Sequence, residues 1–374
     1  MKNDIVRDAI NLRHELHQYP ELSGEEIQTK RLLMQFLKEK TKLNIVDRGK
    51  WFYAEYIPEE NISDSIAFRA DFDAIPVLEI GNLPYASKNP GVAHKCGHDG
   101  HSAALAAFAM EVDQNREKYQ KRIYFIFQYG EETGIGGAPC AELITEKEIK
   151  EVYAIHNFPG YPLGAFVLRE GTINCASKGM ELIFTGRPAH ASQPEKGKNP
   201  AGTISRLVLE LENIANPKKY TGLILATVVQ IDVGERAFGV AAHKGRLLLT
   251  IRGQHEDEML RMQKEIEETA SRLASQEGLE AEFRFCDEFP ETYNHKENIG
   301  KLKKIAEENG WPVVMLEAPI RSSEDFGYYL KKAPGALLWL GAGEERPPIH
   351  SQEFDYNDEL IWRSVEIFQK ICGQ

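Results

Sequence analysis

Apolar and polar positions divide the chain into stretches of different periodicity. From Asp4 to Lys42 apolar side chains recur at helical spacing, with a break at Tyr19-Pro20, and this pattern predicts two helices. Further on, short and nearly continuous apolar runs such as Ser65–Asp71 and Arg122–Gln128 flank an alanine-rich helix, Ser102–Gln114. Apolar strands that alternate with helices are typical of an α/β domain whose mostly parallel sheet is covered on both faces.

Residues 178–289 follow a different order. Their pattern predicts a strand, a helix, two strands, a long helix and a last strand, which is the βαββαβ order of a ferredoxin-like unit. The tail then returns to the earlier alternation and ends in a helix from Asp358 to Ile371. We therefore expect one α/β domain formed by residues 1–177 and 290–374, with residues 178–289 inserted into it as a second domain.

Composition narrows the possible partners and the compartment. The 374 residues include 45 Lys and Arg against 57 Asp and Glu, a net charge of −12, which argues against nucleic acid or an anionic membrane as the main partner. The segment from Met1 to Pro20 has no apolar stretch of the secretory type, and five scattered cysteines do not suggest a disulfide framework. We expect a cytoplasmic protein that acts on a small molecule.

The segment His94–His101 holds the densest group of metal-ligand side chains in the sequence. It reads His-Lys-Cys-Gly-His-Asp-Gly-His and offers Cys96, His98 and two further imidazoles within a glycine-containing loop. Thiolate and imidazole are ligands that zinc prefers, and glycine lets a loop fold around an ion. A turn with surface histidines would explain a single His, but one cysteine and three histidines together favour a metal site.

Further candidate ligands follow other predicted strands. Glu131 and Glu132 come after one strand, His156 directly follows Val152–Ile155, and His350 follows a strand and a loop rich in Gly and Pro. Because the carboxyl ends of parallel strands meet at one edge of an open sheet, we expect these side chains to lie close together. Each alone could be a solvated loop residue, and only their joint placement favours a shared site.

The adjacent glutamates suggest two separate roles. Paired carboxylates are electrostatically costly unless a cation is near, and a metal ion would supply that charge. Neighbouring side chains of an extended chain point in opposite directions, so one of Glu131 and Glu132 could bind metal while the other faces substrate as a general base. Asp71, at the end of another strand, could hold a ligating imidazole, although a turn or capping role is equally compatible.

Seven segments spread over nearly the whole chain match the motifs of one family. In chain order they are His14–Glu21, Arg69–Pro76, Lys95–His101, Phe127–Glu132, Gly186–His190, Ser323–Phe326 and His350–Phe354. On these motifs the chain resembles the zinc-dependent amidohydrolases that include hippurate hydrolase, N-acyl-amino-acid amidohydrolases, acetyldiaminopimelate deacetylase and plant auxin-conjugate hydrolases. The resemblance implies a catalytic domain, an inserted lid domain that also forms a homodimer, and a site for two divalent metal ions, with zinc, manganese, nickel and cobalt all compatible with the donors.

The resemblance also implies roles for single side chains. Glu131 would be the general base, His190 would stabilise the oxyanion in the partner subunit's active site, and Arg252 would hold a substrate carboxylate. The metal ligands that it implies are Cys96, His98, Glu132, His156 and His350. The expected reaction is hydrolysis of the amide bond of an N-acyl amino acid or a similar small amide.

Two departures from the family pattern leave the substrate open. Phe238–Ala242 stands where family members carry Asn-Val-Ile-Pro, so that Gly239 occupies a usual substrate-contact position, and Ala154-Ile155 precedes His156 in place of Gly-Met. Neither change removes a metal ligand. A metallo-carboxypeptidase or dipeptidase is the alternative among enzymes, and a metal-loaded binding protein without catalysis is the alternative from another class.

Overall fold

The computed structural model describes residues 2–59 and 64–373 and divides the chain into two compact units. The first, termed the α/β unit, comprises the residues up to Ile173, Thr292–Pro319 and the residues from Glu324 onward. The second, termed the inserted unit, comprises Asn174–Glu291 and Ile320–Ser323.

Helices and strands alternate along the described part of the chain. Its strands are β1 Asn44–Asp47, β2 Phe52–Tyr56, β3 Ser65–Asp71, β4 Arg122–Gln128, β5 Glu151–Phe158, β6 Phe166–Leu168, β7 Gly171–Asn174, β8 Ala176–Thr185, β9 Ala189–His190, β10 Ile224–Val233, β11 Val240–Ala241, β12 Lys244–Gly253, β13 Glu280–Phe289, β14 Thr292–Asn294, β15 Val313–Met315 and β16 Gly335–Gly341. Its α-helices are α1 Lys2–Gln18, α2 Ile27–Lys40, α3 His98–Gln114, α4 Gly137–Glu146, α5 Ala201–Ile214, α6 Glu256–Glu277, α7 Lys296–Glu308, α8 Gly327–Leu330 and α9 Glu359–Cys372.

One eight-stranded sheet forms the centre of the α/β unit, in the order β1-β2-β4-β3-β5-β16-β6-β15. The central strands β4, β3, β5 and β16 are parallel to one another, whereas β2 and β6 join this group in the antiparallel sense. Every residue of β3 and β16 is buried, because both faces of the sheet are covered. The predicted α/β fold with a mostly parallel sheet is confirmed.

Helix α3 is buried along most of its length and packs between β3 and the helices α1 and α9. Its run of alanines allows this close approach, because Ala presents little side-chain volume to the neighbouring elements. The helix begins at His98 and not at Ser102 as the sequence pattern predicted, so its buried first turn carries polar side chains into the unit.

The inserted unit has a four-stranded antiparallel sheet in the order β10-β12-β8-β13, with helices α5 and α6 between its strands in the chain. Alternate side chains of β12, such as Leu247, Leu249 and Ile251, are buried in a core that also takes Met262 and Ile266 from α6. This alternation is what a sheet with one covered face produces. Element order and strand order together confirm the ferredoxin-like βαββαβ prediction.

None of the described helices combines the length and the apolar composition that a bilayer crossing requires. All five cysteines are free thiols, four of them buried and Cys286 exposed.

Candidate metal centre

Cys96 and His98 are placed by a sharp turn at the start of α3. Gly97 between them has a φ angle of 103°, in the left-handed region that favours glycine, and a Cβ at this position would collide with the side chain of Asn157. The turn therefore requires a glycine. It brings the thiol of Cys96 and the imidazole of His98 into the interior, where both are buried.

The other candidate donors come from three further elements. Glu131 and Glu132 lie in a turn after β4. His156 lies within β5 and not after it, since the strand extends two residues beyond this histidine. His350 lies in the loop after β16 with a φ angle of 66° and a half-exposed side chain. The expectation of extended backbone at the glutamate pair is wrong, since both carboxylates approach the same imidazole: Glu131 Oε2 and Glu132 Oε1 lie 3.9 Å and 3.8 Å from His98 Nε2.

All the predicted ligands converge in the α/β unit. The donor atoms of Cys96, His98 and His156 lie within 4.8 Å of one another, and so do those of Cys96, Glu132 and His350. Cys96 Sγ is 3.5 Å from His156 Nε2, and His350 Nε2 is 3.4 Å from Glu132 Oε1. Because the two groups share the thiol, the five donors form one continuous cluster.

Hydrogen bonds orient two imidazoles so that the same ring nitrogen faces this cluster. His98 donates from Nδ1 to Asp73 Oδ1 at 3.0 Å, and His156 donates from Nδ1 to the carbonyl of Asn157 at 2.9 Å. In a neutral ring, a proton on Nδ1 leaves a lone pair on Nε2. Burial opposes the charged form of His98, but Asp71 and Asp73 outweigh it and raise the pKa of His98 to about 10, so its Nε2 must lose a proton before it can act as a ligand. Burial, together with the neighbouring His101, holds the pKa of His156 well below its usual range, so this ring is neutral and can act as a ligand.

The cluster fits a cation on two grounds. His98 Nε2 and Glu132 Oε1 are buried and have no hydrogen-bond partner among the described residues, which is costly unless another group meets them. Neither Glu131 nor Glu132 forms an ion pair with a lysine or arginine in the described part of the chain. Thiol, imidazole and carboxylate are together a donor set for divalent transition metals.

Glu131 lies in a crowded acidic environment beside this cluster. Its carboxylate oxygens come within 4.8 Å of those of Glu324 and Asp325, and Arg69 pairs with both of these residues, at 3.2 Å and 2.7 Å. Burial raises the pKa of Glu131 well above its usual range, and Glu324 and Glu132 raise it further, whereas Arg69 opposes the shift. An acid with a raised pKa inside a donor cluster is suited to exchanging a proton near neutral pH.

The acidic side chains around Glu131 also act on Cys96. Burial raises the pKa of its thiol well above the usual range, and the nearby carboxylates of Glu132 and Glu131 add to the shift. A thiolate at this position therefore needs a compensating positive charge, which a bound divalent ion provides.

Asp73 is a functional candidate that the sequence analysis missed. One of its oxygens accepts the Nδ1 proton of His98, and the other accepts the backbone N–H of Glu132 at 2.9 Å. A single buried carboxylate thus fixes two predicted ligands from different elements. Asp71 was expected to hold a ligating imidazole; it accepts from Nδ1 of His101, which is not one of the five predicted ligands, at 2.6 Å and pairs with Arg69.

His101 has both ring nitrogens occupied, although its motif suggested a possible ligand. Besides the bond to Asp71, its Nε2 lies 2.6 Å from the side-chain Oδ1 of Asn157 and 3.2 Å from the backbone nitrogen of the same residue. In the sequence, Asp71 and Asp73 stand on either side of Phe72, and this spacing alone indicates that the two carboxylates have different partners. The spacing does not identify the imidazole that each carboxylate contacts.

The two remaining predicted residues belong to the inserted unit. His190 is exposed in β9, which pairs with β11, and its Nδ1 accepts the backbone N–H of Ser192 at 3.1 Å, so that the proton of the neutral ring is on Nε2. Arg252 is partly buried in β12 and donates to Ser323 Oγ at 2.6 Å. Burial lowers the pKa of Arg252, and no carboxylate of the described residues pairs with its guanidinium.

Known proteins resemble this chain over nearly its whole length. A model of Peptidase family M20/M25/M40 matches residues 67–374. N-acetyl-L-cysteine deacetylase of Bacillus subtilis is 30% identical over 340 residues, 90% of this chain and 81% of that protein. Thermostable carboxypeptidase 1 of Saccharolobus solfataricus is 29% identical over 376 residues, 96% and 94% of the two chains. The crystal structure of a Bacillus subtilis dinuclear metal binding peptidase from the M20 family has a TM-score of 0.81 at 25% identity, covering 99% of this chain and 98% of that one.

The mixed α/β fold, the cluster of thiol, imidazole and carboxylate donors and the match to this family together identify a hydrolase of the metallopeptidase type. Because the family model matches well over half of its residues, the chain belongs to Peptidase family M20/M25/M40.

Proposed function

We propose that this hydrolase cleaves the amide bond of an N-acyl amino acid or a similar small amide. Cys96, His98, Glu132, His156 and His350 would hold two divalent metal ions, zinc in the first place, with manganese, nickel or cobalt as alternatives. The single observation that carries this proposal is the meeting of these five donors around the unpartnered atoms His98 Nε2 and Glu132 Oε1. The similarity to a dinuclear metal binding peptidase and to an N-acetyl-L-cysteine deacetylase supports it.

Bound divalent ions would polarise the substrate carbonyl and lower the pKa of a water molecule toward neutrality. Glu131 would take the proton of the attacking water and deliver it to the departing nitrogen. Its burial beside Glu324 and Glu132 supports this role, because a raised pKa makes the carboxylate a stronger proton acceptor. Asp73 would keep His98 and Glu132 in place during the reaction.

The inserted unit would act as a lid that binds the substrate. Arg252 would pair with the carboxylate of the amino-acid part, since its guanidinium is partly buried and lacks an acidic partner among the described residues. His190 would donate its Nε2 proton to the developing oxyanion. We assign the catalytic domain to residues 1–177 and 290–374 and the lid to residues 178–289, and we expect a homodimer in the cytoplasm in which His190 serves the partner subunit's site.

A metallo-carboxypeptidase or dipeptidase is the competing function, and the similarity to a thermostable carboxypeptidase favours it. Initial rates with N-acetyl amino acids, N-benzoyl amino acids and dipeptides separate the two. The N-acyl proposal requires the higher kcat/KM for the acyl substrates. A metal-loaded binding protein is favoured only by Gly239 at a usual contact position, and it would bind one of these compounds tightly without turnover.

The role of Glu131 is tested by Glu131→Gln. This isosteric change removes the proton acceptor, so we expect wild-type metal content by elemental analysis and a loss of kcat of at least about 100-fold on the best acyl substrate. Glu288→Gln, on a half-exposed carboxylate of the inserted unit, is the matched control and should keep both values. Wild-type turnover in Glu131→Gln would exclude this residue as the base.

A further inference from the structure

Lys95, which directly precedes Cys96, connects two of the segments that carry predicted ligands. It is fully buried, and its ammonium group donates to Glu79 Oε1 at 2.5 Å and to the carbonyl oxygen of Phe354 at 2.7 Å. Its own carbonyl oxygen accepts the backbone N–H of His350 at 2.6 Å. One residue thus binds both ends of the segment from His350 to Phe354.

A second buried cation fixes the continuation of this segment. The guanidinium of Arg13, in α1, donates to Asp355 Oδ1 at 2.5 Å, to the carbonyl oxygen of Tyr356 at 3.2 Å and to Asp358 Oδ1 at 2.9 Å. Its Nε donates to Asp99 Oδ2 at 3.2 Å, in the first turn of α3. Arg13 therefore ties the C-terminal segment to the helix that begins with His98.

His17 joins these two arrangements into one. Its Nδ1 lies 2.8 Å from Asp99 Oδ2, and its Nε2 lies 2.8 Å from Glu79 Oε1. The result is a continuous chain of contacts, termed the buried ionic network, which consists of Lys95, Glu79, His17, Asp99 and Arg13. Burying this many charges is costly unless each is paired, so the network is expected to be rigid and intolerant of the loss of one member.

His350 itself has few contacts that would fix it. Its φ angle of 66° lies in the left-handed region, which a residue other than glycine adopts only when its surroundings hold it there, and its side chain is half exposed. The hydrogen bond from its N–H to Lys95 is the backbone contact that anchors it.

We propose that Lys95 is a positioning residue that holds His350 beside Cys96 and Glu132, and that the buried ionic network thereby sets the affinity of the centre for metal. This inference rests on the metal-binding part of the proposed function and not on the identity of the substrate. It extends the metal centre to residues of α1 and of the 79–95 region that provide no ligand themselves.

The test uses the purified full-length chain and zinc alone, with affinity measured by competition against a chromogenic chelator. Lys95→Met keeps the length and apolar stem of the side chain and removes the ammonium group. We expect it to weaken zinc binding by about 10- to 100-fold while the far-UV circular dichroism spectrum stays that of the wild type. Lys332→Met, on a lysine of the same unit that pairs with exposed Glu142, is the matched control and should bind zinc as the wild type does.

A double-mutant cycle with His350→Ala separates positioning from a general structural effect. If Lys95 acts through His350, then Lys95→Met costs little further affinity once the imidazole is gone, whereas independent effects would add. Additive losses, or unchanged affinity in Lys95→Met, would overturn the proposal. Should Lys95→Met not fold, Glu79→Gln takes its place in the cycle, because it removes the charge that partners the ammonium but keeps an oxygen acceptor. A wild-type protein that binds no zinc refutes the metal-binding proposal as well, whereas zinc binding without this coupling refutes only the role of Lys95.

Discussion

Replacing Asp73 by asparagine is the change that tests the construction of the metal centre most sharply. The carboxylate offers two acceptor oxygens, one to the Nδ1 proton of His98 and one to the N–H of Glu132. The side-chain amide of the variant offers a single acceptor oxygen and a donor group, so one of these two protons must face an N–H₂ group. If the amide nitrogen faces His98, the imidazole must carry its proton on Nε2 and loses the lone pair that faces the cluster.

The size of the effect follows from the hydrogen bonds that the variant loses. Hydrogen bonds to charged groups contribute about 1.5–3 kcal/mol each, and a buried polar group left unpaired costs a similar amount. Either orientation of the amide misplaces one ligand, and loss of an outer-shell partner lowers metal affinity by about 10- to 100-fold, equivalent to about 1.4–2.7 kcal/mol. We therefore expect Asp73→Asn to bind zinc at least about tenfold more weakly than the wild type.

Chelator competition at fixed pH measures this affinity directly. Asp232→Asn, a change of the same kind at a half-exposed carboxylate that pairs with Arg246 in the inserted unit, is the control and should leave the zinc affinity unchanged. Equal affinity of Asp73→Asn and wild type would refute the view that one buried carboxylate holds both His98 and Glu132.

Two further outcomes are expected. Arg252→Met should lower kcat/KM by about 10- to 100-fold for N-acyl amino acids, because these substrates carry a free carboxylate that loses a charged hydrogen bond. The variant should change kcat/KM little for the corresponding amides, which have no such carboxylate. An equal decrease for both kinds of substrate would exclude the role of Arg252. For His17, burial alone would lower the pKa, but hydrogen bonds to Asp99 and Glu79 outweigh it and raise the pKa to about 9, while Arg13 opposes the shift. Protonated His17 therefore stabilises the fold fully below the unfolded-state pKa of about 6.5, and this stabilisation is lost as the pH rises through 9. In urea unfolding between about pH 6.5 and pH 9, the free energy of unfolding of the wild type should fall by up to about 3 kcal/mol relative to that of His17→Gln. Parallel pH profiles of the two proteins would contradict the raised pKa of His17.

The fold was largely predictable because the strands at the centre of its large sheet consist mostly of apolar residues. β3 and β4 are nearly continuous apolar runs, which are typical of buried parallel strands, and their predicted bounds agree with the structure. The inserted unit was predictable for another reason, since β12 alternates buried and exposed positions and α6 has one apolar stripe. Local periodicity was sufficient in both cases.

Periodicity was not sufficient where polar side chains are buried. The first turn of α3 was assigned to a loop because His98 and Asp99 interrupt the apolar pattern, yet both are buried in the helix. Arg13 and Lys95 would ordinarily be taken for solvated side chains, and only the tertiary structure shows that each is enclosed by acids and carbonyl groups from distant segments. A sequence pattern reports local preference, whereas these positions are decided by partners far away in the chain.

Among the predicted site residues, the ligand types were easier to predict than their orientation. The thiol, imidazole and carboxylate side chains near strand ends were expected to meet, and the structure brings all five donors together. The turn at Glu131 and Glu132 was not expected, because two adjacent acids after a strand carry no signal for a reversal of the chain. The different partners of Asp71 and Asp73 follow from which side of the strand end each carboxylate occupies.

The most direct test of the metal centre is anomalous X-ray diffraction from crystals of the protein purified with zinc, recorded above and below the zinc absorption edge. We expect two anomalous peaks among Cys96, His98, Glu132, His156 and His350, each within about 2.0–2.3 Å of its ligand atoms. Crystals that contain zinc elsewhere but show no peak within this cluster would contradict it.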